Sequence, residues 1–370
     1  MSLRIERRLN QPRWLSAAVP LGSVAFAFFA IALVLLATGH NPAHTFAKLV
    51  RSAFGDSGAL SATLVSATPL AFTGLAAAAA FRMNLFNIGG EGQLYFGVAG
   101  AVAIALVLGN GAPAAVSIAA MCVAGAAAGA AWAVIPGVLR AFARTNEIIT
   151  SLMLNYVAAL VLNYLIFDSH SYWRDTTSPS AAVFPQGQAI PDTAMWPFAT
   201  VGGAAFPLGV GIAALVAAAL WTLYKRTRFG FELQVIADSP RAARYAGMRT
   251  RRKILVVMCL SGAIAGLGGA AQVGNFDHLL DPRSLQQQLF GYSGIVVAAL
   301  ARYNPFAVVV IAVLLGGLKN AGFALQGADF PSGLVGVMQG MFLFSVLGGE
   351  ILNRYRITLS RPGTRPEPAG

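Results

Sequence analysis

Polar and charged residues are few in this chain, and the informative ones stand inside apolar runs. The sharpest case is Asn87-Ile88-Gly89-Gly90-Glu91-Gly92-Gln93, which sets a carboxylate, two amides and three glycines between two long hydrophobic stretches. A charged side chain at the bilayer centre costs about 2.5–3.5 kcal/mol on insertion scales, and a broken lipid-facing helix leaves backbone groups unpaired. The segment is tolerable only where it lines a wet cavity or is buried in protein. Residues 84–93 therefore read as a non-helical turn leading into the N-terminus of a membrane helix. Glu91 falls in the first helical turn, where the positive helix end favours an anion. Two roles fit. In one, Glu91 is a cap near the inner face that accepts backbone N–H bonds and pairs with Arg82; in the other, Asn87, Glu91 and Gln93 face a permeation path and touch a polar substrate. The preceding Arg82 favours the inner-face cap.

Other polar residues pose the same choice. Asn155 and Asn163 lie eight residues apart, on roughly one helix face, and either hydrogen-bond a polar solute or tie helices together. Glu147, after Asn146, reads as a helix start at the inner interface, with a loop or partner contact as the alternative. Lys319-Asn320 interrupts an apolar run, where the lysine snorkels to an interface or pairs with a carboxylate, the alternative being that it meets substrate. Gln272, Asn275, Asp277 and His278 cluster at one helix end and read as a solvated loop, or as a place to receive substrate. A last stretch, Ser239-Pro240-Arg241-Ala242-Ala243-Arg244-Tyr245-Ala246-Gly247, has the marks of a short capped helix. Ser239 (or Asp238) suits the N-cap, Pro240 the first helical position, and Gly247 the position past the end. Two turns are too few to be stable alone in water. The helix needs something to pack against: anionic lipid headgroups or a cytoplasmic partner. Defined ends favour the partner.

The elements that must position these residues follow from composition. The chain has 370 residues, 56% of them hydrophobic and 11% charged, with a mean hydropathy of +0.65. Soluble domains carry about 25% charged residues. Several apolar runs reach about 20 residues, the length that crosses a bilayer as a helix. The expected fold is all-α, a polytopic transmembrane bundle of about ten spans with some broken or re-entrant. The spans are drawn at 16–39, 60–82, 93–109, 112–139, 147–167, 204–224, 254–273, 289–302, 306–322 and 331–350, the third, eighth and ninth being short. The first run is too long for a signal-peptide core and reads as a retained span. Spans two to five and seven to ten each hold a Gly-rich break and a short span, which suggests internal two-fold pseudosymmetry.

The net charge of +12 would suggest nucleic acid in a soluble protein, but its placement speaks of membrane orientation. With the N-terminus inside, 21 of the 26 Lys and Arg residues fall on the inner side, including Arg4, Arg7, Arg8, Arg13, Arg361 and Arg365. The division is then a cytoplasmic segment 1–15, one membrane domain 16–350 and a cytoplasmic tail 351–370. The membrane domain carries an outer loop at 168–203 and an inner loop at 225–253. Cys122 and Cys259 lie in apolar runs and read as small buried side chains.

The blocks Asn87 to Gln93, Asn146-Glu147-Ile148-Ile149-Thr150-Ser151-Leu152-Met153-Leu154-Asn155-Tyr156, and Gly291-Tyr292-Ser293-Gly294 through Ala301-Arg302-Tyr303-Asn304-Pro305 stand in an order that resembles one known family. It is the permease subunits of bacterial ABC importers for branched-chain amino acids, simple sugars and nucleosides, and the first two blocks resemble its nucleoside-type branch. Two departures occur. Ala237-Asp238-Ser239-Pro240 stands where relatives tend to have Gly-x-Asn-Pro, and Ala301 replaces a usual Gly. The resemblance implies that the 239–247 helix couples the permease to its ATPase. It also implies ATP and Mg on that separate ATPase, a second permease subunit (homologous or identical), and an extracytoplasmic binding protein or lipoprotein. Nucleosides, or simple sugars, would move inward by alternating access across the bacterial inner membrane.

The chain has no G-x-x-x-x-G-K-[ST] loop, no metal-ligand spacing among four His and two Cys, and no G-x-S-x-G. It is thus neither its own P-loop ATPase nor, by these motifs, an enzyme. The rival to the ATP-driven reading is a gradient-driven secondary transporter of a small polar solute, which would want an ionisable relay such as Glu91 with Lys319.

Overall fold

The computed structural model describes residues 2–7, 15–326 and 332–360. Arg8, Arg13, Arg361 and Arg365, counted above toward the inner side, lie outside them, as does the first residue of the expected span 331–350. The helices in chain order are α1 (Leu15–Ala37), α2 (Pro42–Phe54), α3 (Ser57–Phe81), α4 (Gly90–Leu108), α5 (Ala114–Ala143), α6 (Glu147–Asn163), α7 (Pro179–Val183), α8 (Leu208–Arg226), α9 (Arg228–Asp238), α10 (Pro240–Tyr245), α11 (Thr250–Gln272), α12 (Pro282–Gln288), α13 (Phe290–Leu300), α14 (Pro305–Leu325) and α15 (Ser332–Arg354). The strands are β1 (Ser2–Arg7), β2 (Phe198–Val201), β3 (Ala204–Pro207) and β4 (Tyr355–Ser360). Single π-helical turns extend α6 over Tyr164–Asp168 and α11 over Val273–Asp277.

Two compact units divide the chain. One comprises Met1–Leu49 with Leu325–Gly370. There β1 pairs antiparallel with β4, Ile5 opposite Ile357, and the Phe28 ring meets Phe46 and Phe342 edge-on at 5.3 and 6.0 Å. This pairing of the two ends has no signal in hydropathy.

The other unit, Val50–Ala324, holds the core. Helix α3 is apolar on all sides, and every residue from Ala67 to Phe81 is buried, as expected for a helix hydrophobic all round. Helices α4, α5 and α11 pack on bare backbone. A Cβ at Gly266 would run into the Gly125 carbonyl, and one at Gly129 into the Gly262 carbonyl. Lipid tails are as apolar as leucine, so membrane helices gain by such close backbone approach.

Among the described residues seven helices are long and apolar enough to cross a membrane, and a bent pair, Leu21–Ala37 with Pro42–Phe54, turns through 119°. The chain is a polytopic helical membrane protein. Each of the ten expected segments contains a helix, but the crossings are unequal. Helix α13 has 11 residues, about 16 Å, half a bilayer core. Helix α14 has 21 residues, where a short span was expected. Helices α2 and α12 were not expected at all.

Candidate functional site

The break at Asn87–Gln93 is built from the inner turn upward. Helix α3 ends at Phe81, and Asn84 turns the chain in a left-handed conformation, φ 56°. The Asn84 amide donates to Ala237 O at the end of α9, at 3.1 Å. Residues 85–88 then run without helix to Gly89, and α4 begins at Gly90. Asn87 and Gln93 are 2% and 1% exposed and join amide to amide, each Nδ2 or Nε2 donating to the other's oxygen at 3.0 Å. Asn87 also donates to Ser261 Oγ of α11 at 2.9 Å and accepts from Gly89 N at 3.0 Å. Ser261 in turn donates to Ala76 O of α3 at 2.8 Å. The two amides are thus consumed in holding the loop between α3, α4 and α11.

Asn155 closes the other side from α6. Its Oδ1 accepts from Gly92 N at 2.9 Å, and its Nδ2 donates to Ile88 O at 2.9 Å and to the Tyr292 hydroxyl at 3.2 Å. One turn earlier, Ser151 Oγ accepts from Ile88 N at 3.1 Å. The loop's polar backbone is therefore paid for by side chains of α6, as depth in a bilayer requires.

Glu91, 2% exposed, does not cap its own helix. Its Oε2 accepts from Gly291 N at 2.6 Å and Tyr292 N at 3.4 Å, the first turn of α13, two hundred residues away. The Tyr95 hydroxyl lies beside the carboxylate, and Oε1 finds no well-formed hydrogen bond. Two helix N-termini, α4 and α13, thus converge on one carboxylate. A Cβ at Gly291 would collide with the Glu91 backbone. This corrects the inner-face reading. Arg82 does not pair with Glu91; its guanidinium lies 5.1 Å over the Tyr224 ring. The break sits level with Ser261, eleven residues or about 16 Å into α11, and Thr73, eight residues or about 12 Å above the end of α3.

Lys319 of α14 reaches the same junction. Its ammonium donates to Gln288 O at the break between α12 and α13, and lies 4.2 Å from the centre of the Phe290 ring. It also acts on the Glu91 carboxylate through space. Asn320 faces elsewhere, donating to Ser52 O at 3.1 Å and Ala59 O at 3.3 Å. Between α4 and α5, Phe96 and Trp132 stack at 3.9 Å.

Of the remaining residues singled out from sequence, Asn163 accepts from Gln286 Nε2 at 3.0 Å, half-buried. Glu147 starts α6 and pairs with Arg140 at 3.1 Å. Gln272 and Asn275 are 3% and 5% exposed, so the solvated loop expected there is a buried turn. Gln272 donates to Asp277, and Asn275 accepts from Gly209 N at 3.2 Å. The outer loop folds onto this turn: Trp196 N donates to Gly274 O at 2.9 Å and Ile190 N to His278 O at 2.8 Å. In that loop the Ser178 hydroxyl, and then Thr177, hold the Asp175 carboxyl below the usual carboxylate range.

The short inner helix is present as α10. Ser239 Oγ accepts from Ala242 N at 3.4 Å, Pro240 takes the first helical position, and Gly247 follows with φ 75°. Ala243 is fully buried, while Tyr245 is 94% exposed between the exposed Arg241 and Arg244 on one side and Gly247 on the other. Thr227 caps α9, and Lys253 pairs with Glu232, which fastens the loop to the membrane helices.

Sequence reading missed Ser151, Ser261, Thr73, Tyr292 and Gln286. Small hydroxyls inside apolar helices carry no signal of their own. Tyr292 could have been found, since Gly-Tyr-Ser-Gly is a second glycine-rich break.

A model of the family described as branched-chain amino acid transport system / permease component matches residues 59–347. The chain is 34% identical over 306 residues to the guanosine ABC transporter permease protein NupP of Bacillus subtilis, covering 81% of this chain and 84% of that one. It is 30% identical to the glucose ABC transporter permease protein TsgB13 of Haloferax volcanii, covering 97% and 94%. It is 29% identical to the nucleoside ABC transporter permease protein NupB of Lactococcus lactis, covering 89% and 90%.

Proposed function

The chain belongs to the branched-chain amino acid transport system permease family, and from that premise we propose that it is the membrane subunit of an ATP-driven importer of nucleosides. As a permease it is a transport component and not an enzyme. ATP and Mg act on a separate ATPase subunit. A second permease, identical or homologous, completes the path, and an extracytoplasmic binding protein or lipoprotein delivers the solute. The protein sits in the bacterial plasma membrane with both termini in the cytoplasm.

The observation that carries the ATP-driven reading is α10. A helix capped at both ends, with Ala243 buried and Arg241, Arg244 and Tyr245 exposed, is a rigid knob offered to a partner. Ser239, Pro240, Ala242 and Gly247 fix its ends and its close approach. A carrier driven by an ion gradient has no use for it. Closure of the ATPase moves α10, and with it α9 and the foot of the Asn87–Gln93 loop through Asn84.

The solute path runs along the polar residues of α6 and the half-helix junction. Asn163 with Gln286 lies toward the outer end, and Asn155 with Tyr292 lies at half-depth. Glu91 stands behind them, and Asn87 and Gln93 hold the wall. The short helix α13, starting inside the unit where the N-terminus of the longer α4 also lies, resembles the discontinuous helices of inverted-repeat transporters, where one half rocks against the other. The similarity to guanosine and nucleoside permeases supports nucleosides, and simple sugars are the alternative.

Uptake of labelled guanosine and labelled ribose tests this, in cells carrying the chain with its neighbouring transport genes and either an active or a hydrolysis-dead ATPase. Guanosine uptake that vanishes with the dead ATPase is expected. Ribose uptake with the same dependence would change the solute and keep the mechanism. Uptake indifferent to the ATPase and abolished with the proton gradient would overturn the ATP-driven reading.

A further inference from the structure

The start of α13 is a helix end deep inside an apolar unit, and side chains from three other helices hold it. Leu289 breaks the chain between α12 and α13 with φ 50°. The carbonyl before the break, Gln288 O, accepts from Lys319 of α14. The Phe290 carbonyl accepts from Thr73 of α3 at 2.9 Å. The next two N–H groups, of Gly291 and Tyr292, donate to Glu91 of α4. The start of α13 leaves its first N–H groups, and the end of α12 its last carbonyls, without intrahelical partners, and each must be satisfied when buried; the Thr73 bond adds a further tie to the first carbonyl of α13. Two of the three clamps are charged, and of opposite sign. Lys319 covers the Phe290 ring while acting on Glu91 through space.

Tyr292 is the residue this clamp aims. Its N–H is held by Glu91, and its half-buried ring carries the hydroxyl to Asn155 at 3.2 Å. Beside it Gly90 is half-exposed, and a Cβ there would meet nothing closer than 3.8 Å, so the junction is open on this side.

We propose that Lys319 is a positioning residue for solute binding: together with Glu91 it fixes the first turn of α13, so that Tyr292 and Asn155 present a hydroxyl and an amide to the solute. This rests on the nucleoside-importer reading for its solute, though not for its geometry. Glu91 and Lys319 are opposite charges holding neighbouring groups of one buried junction, so removing one leaves the other uncompensated, whereas removing both is less costly. Lys319→Met should therefore disturb the site more than Lys319→Met combined with Glu91→Gln, whose amide oxygen still accepts from Gly291.

The experiment has two arms, run on the complete transporter in membranes with variant levels matched. In the first, guanosine uptake is measured against concentration. Lys319→Met is expected to raise KM about tenfold with a smaller fall in Vmax, the sign of lost binding rather than lost turnover, and the double variant to recover most of it. In the second, Tyr292→Cys in a Cys122→Ala, Cys259→Ala background is labelled with N-ethylmaleimide. Adding Lys319→Met should change the labelling rate several-fold, and adding Glu91→Gln should reverse the change. A wild type that takes up no guanosine would sink the solute assignment, and the labelling arm would still decide the positioning. An unchanged labelling rate, or a Vmax loss without a KM change, would overturn the proposal.

Discussion

Asn155 makes three hydrogen bonds with one amide, to two backbone groups of the Ile88–Gly92 segment and to the Tyr292 hydroxyl. Leaving a buried polar group unpaired costs about 1–3 kcal/mol. Asn155→Ala strands the Gly92 N–H and the Ile88 carbonyl together, so it should lower the melting temperature of the purified protein clearly, before any question of solute arises. Glu91→Gln is the contrasting case. The carboxamide keeps an oxygen for Gly291 and Tyr292 but loses the charge that answers Lys319. It should reach the membrane at near-normal levels and transport poorly. Wild-type uptake at wild-type level would remove Glu91 from the site. The two variants separate a residue that builds the wall from one that tunes it.

At the scale of elements, the inner loop and the half-depth junction are joined by the Asn84 turn. Asn84 serves two ends: it tolerates a left-handed backbone, and its amide binds Ala237. Asn84→Gly keeps the first and loses the second. If the turn passes motion from α10 to the junction, Asn84→Gly should leave ATP hydrolysis by the assembled complex intact and lower the solute moved per ATP. Equal loss of both would mean only damage to assembly. The paired change Arg241→Glu with Arg244→Glu should instead loosen ATPase attachment itself, read by co-purification. How much of this was legible differs by element. Hydropathy located every long helix, and the capping residues of α10 were read correctly because Ser239, Pro240 and Gly247 act locally. The depth of Glu91 was misread because Arg82 is close in sequence, whereas the non-helical residues 85–88 carry the chain away from the inner end of α3. The partner of Glu91 was invisible because it lies two hundred residues on, in a half-helix too short to read as more than a weak span. Helix α12, seven residues, and the buried turn after α11 leave no periodic signal either.

For the whole molecule, the charge distribution makes a claim that side-specific chemistry can test. Nine of the Lys and Arg residues crowd into 225–253, and the outer loop 168–203 holds Arg174 alone. Lys and Arg in short loops favour the cytoplasmic side. The helix path agrees internally: the Phe81 and Tyr303 rings lie 5.7 Å apart, which sets the end of α13 beside the inner end of α3, while Trp196 and Ile190 fold onto the far end of α11. Tyr245, 94% exposed, and Thr177, exposed in the outer loop, therefore report on opposite faces. With Cys122 and Cys259 replaced by Ala, Tyr245→Cys should react with a membrane-impermeant maleimide only in inside-out vesicles, and Thr177→Cys only in intact cells. Labelling of both from one side would require an even number of crossings between them, where the present path has α8 alone to carry the chain across. It would force α8, with 19 residues and mean burial typical of a lipid-facing helix, to be read as something other than a span. The labelling pattern thus decides the orientation of α10, and with it whether an ATPase in the cytoplasm can reach the knob at all.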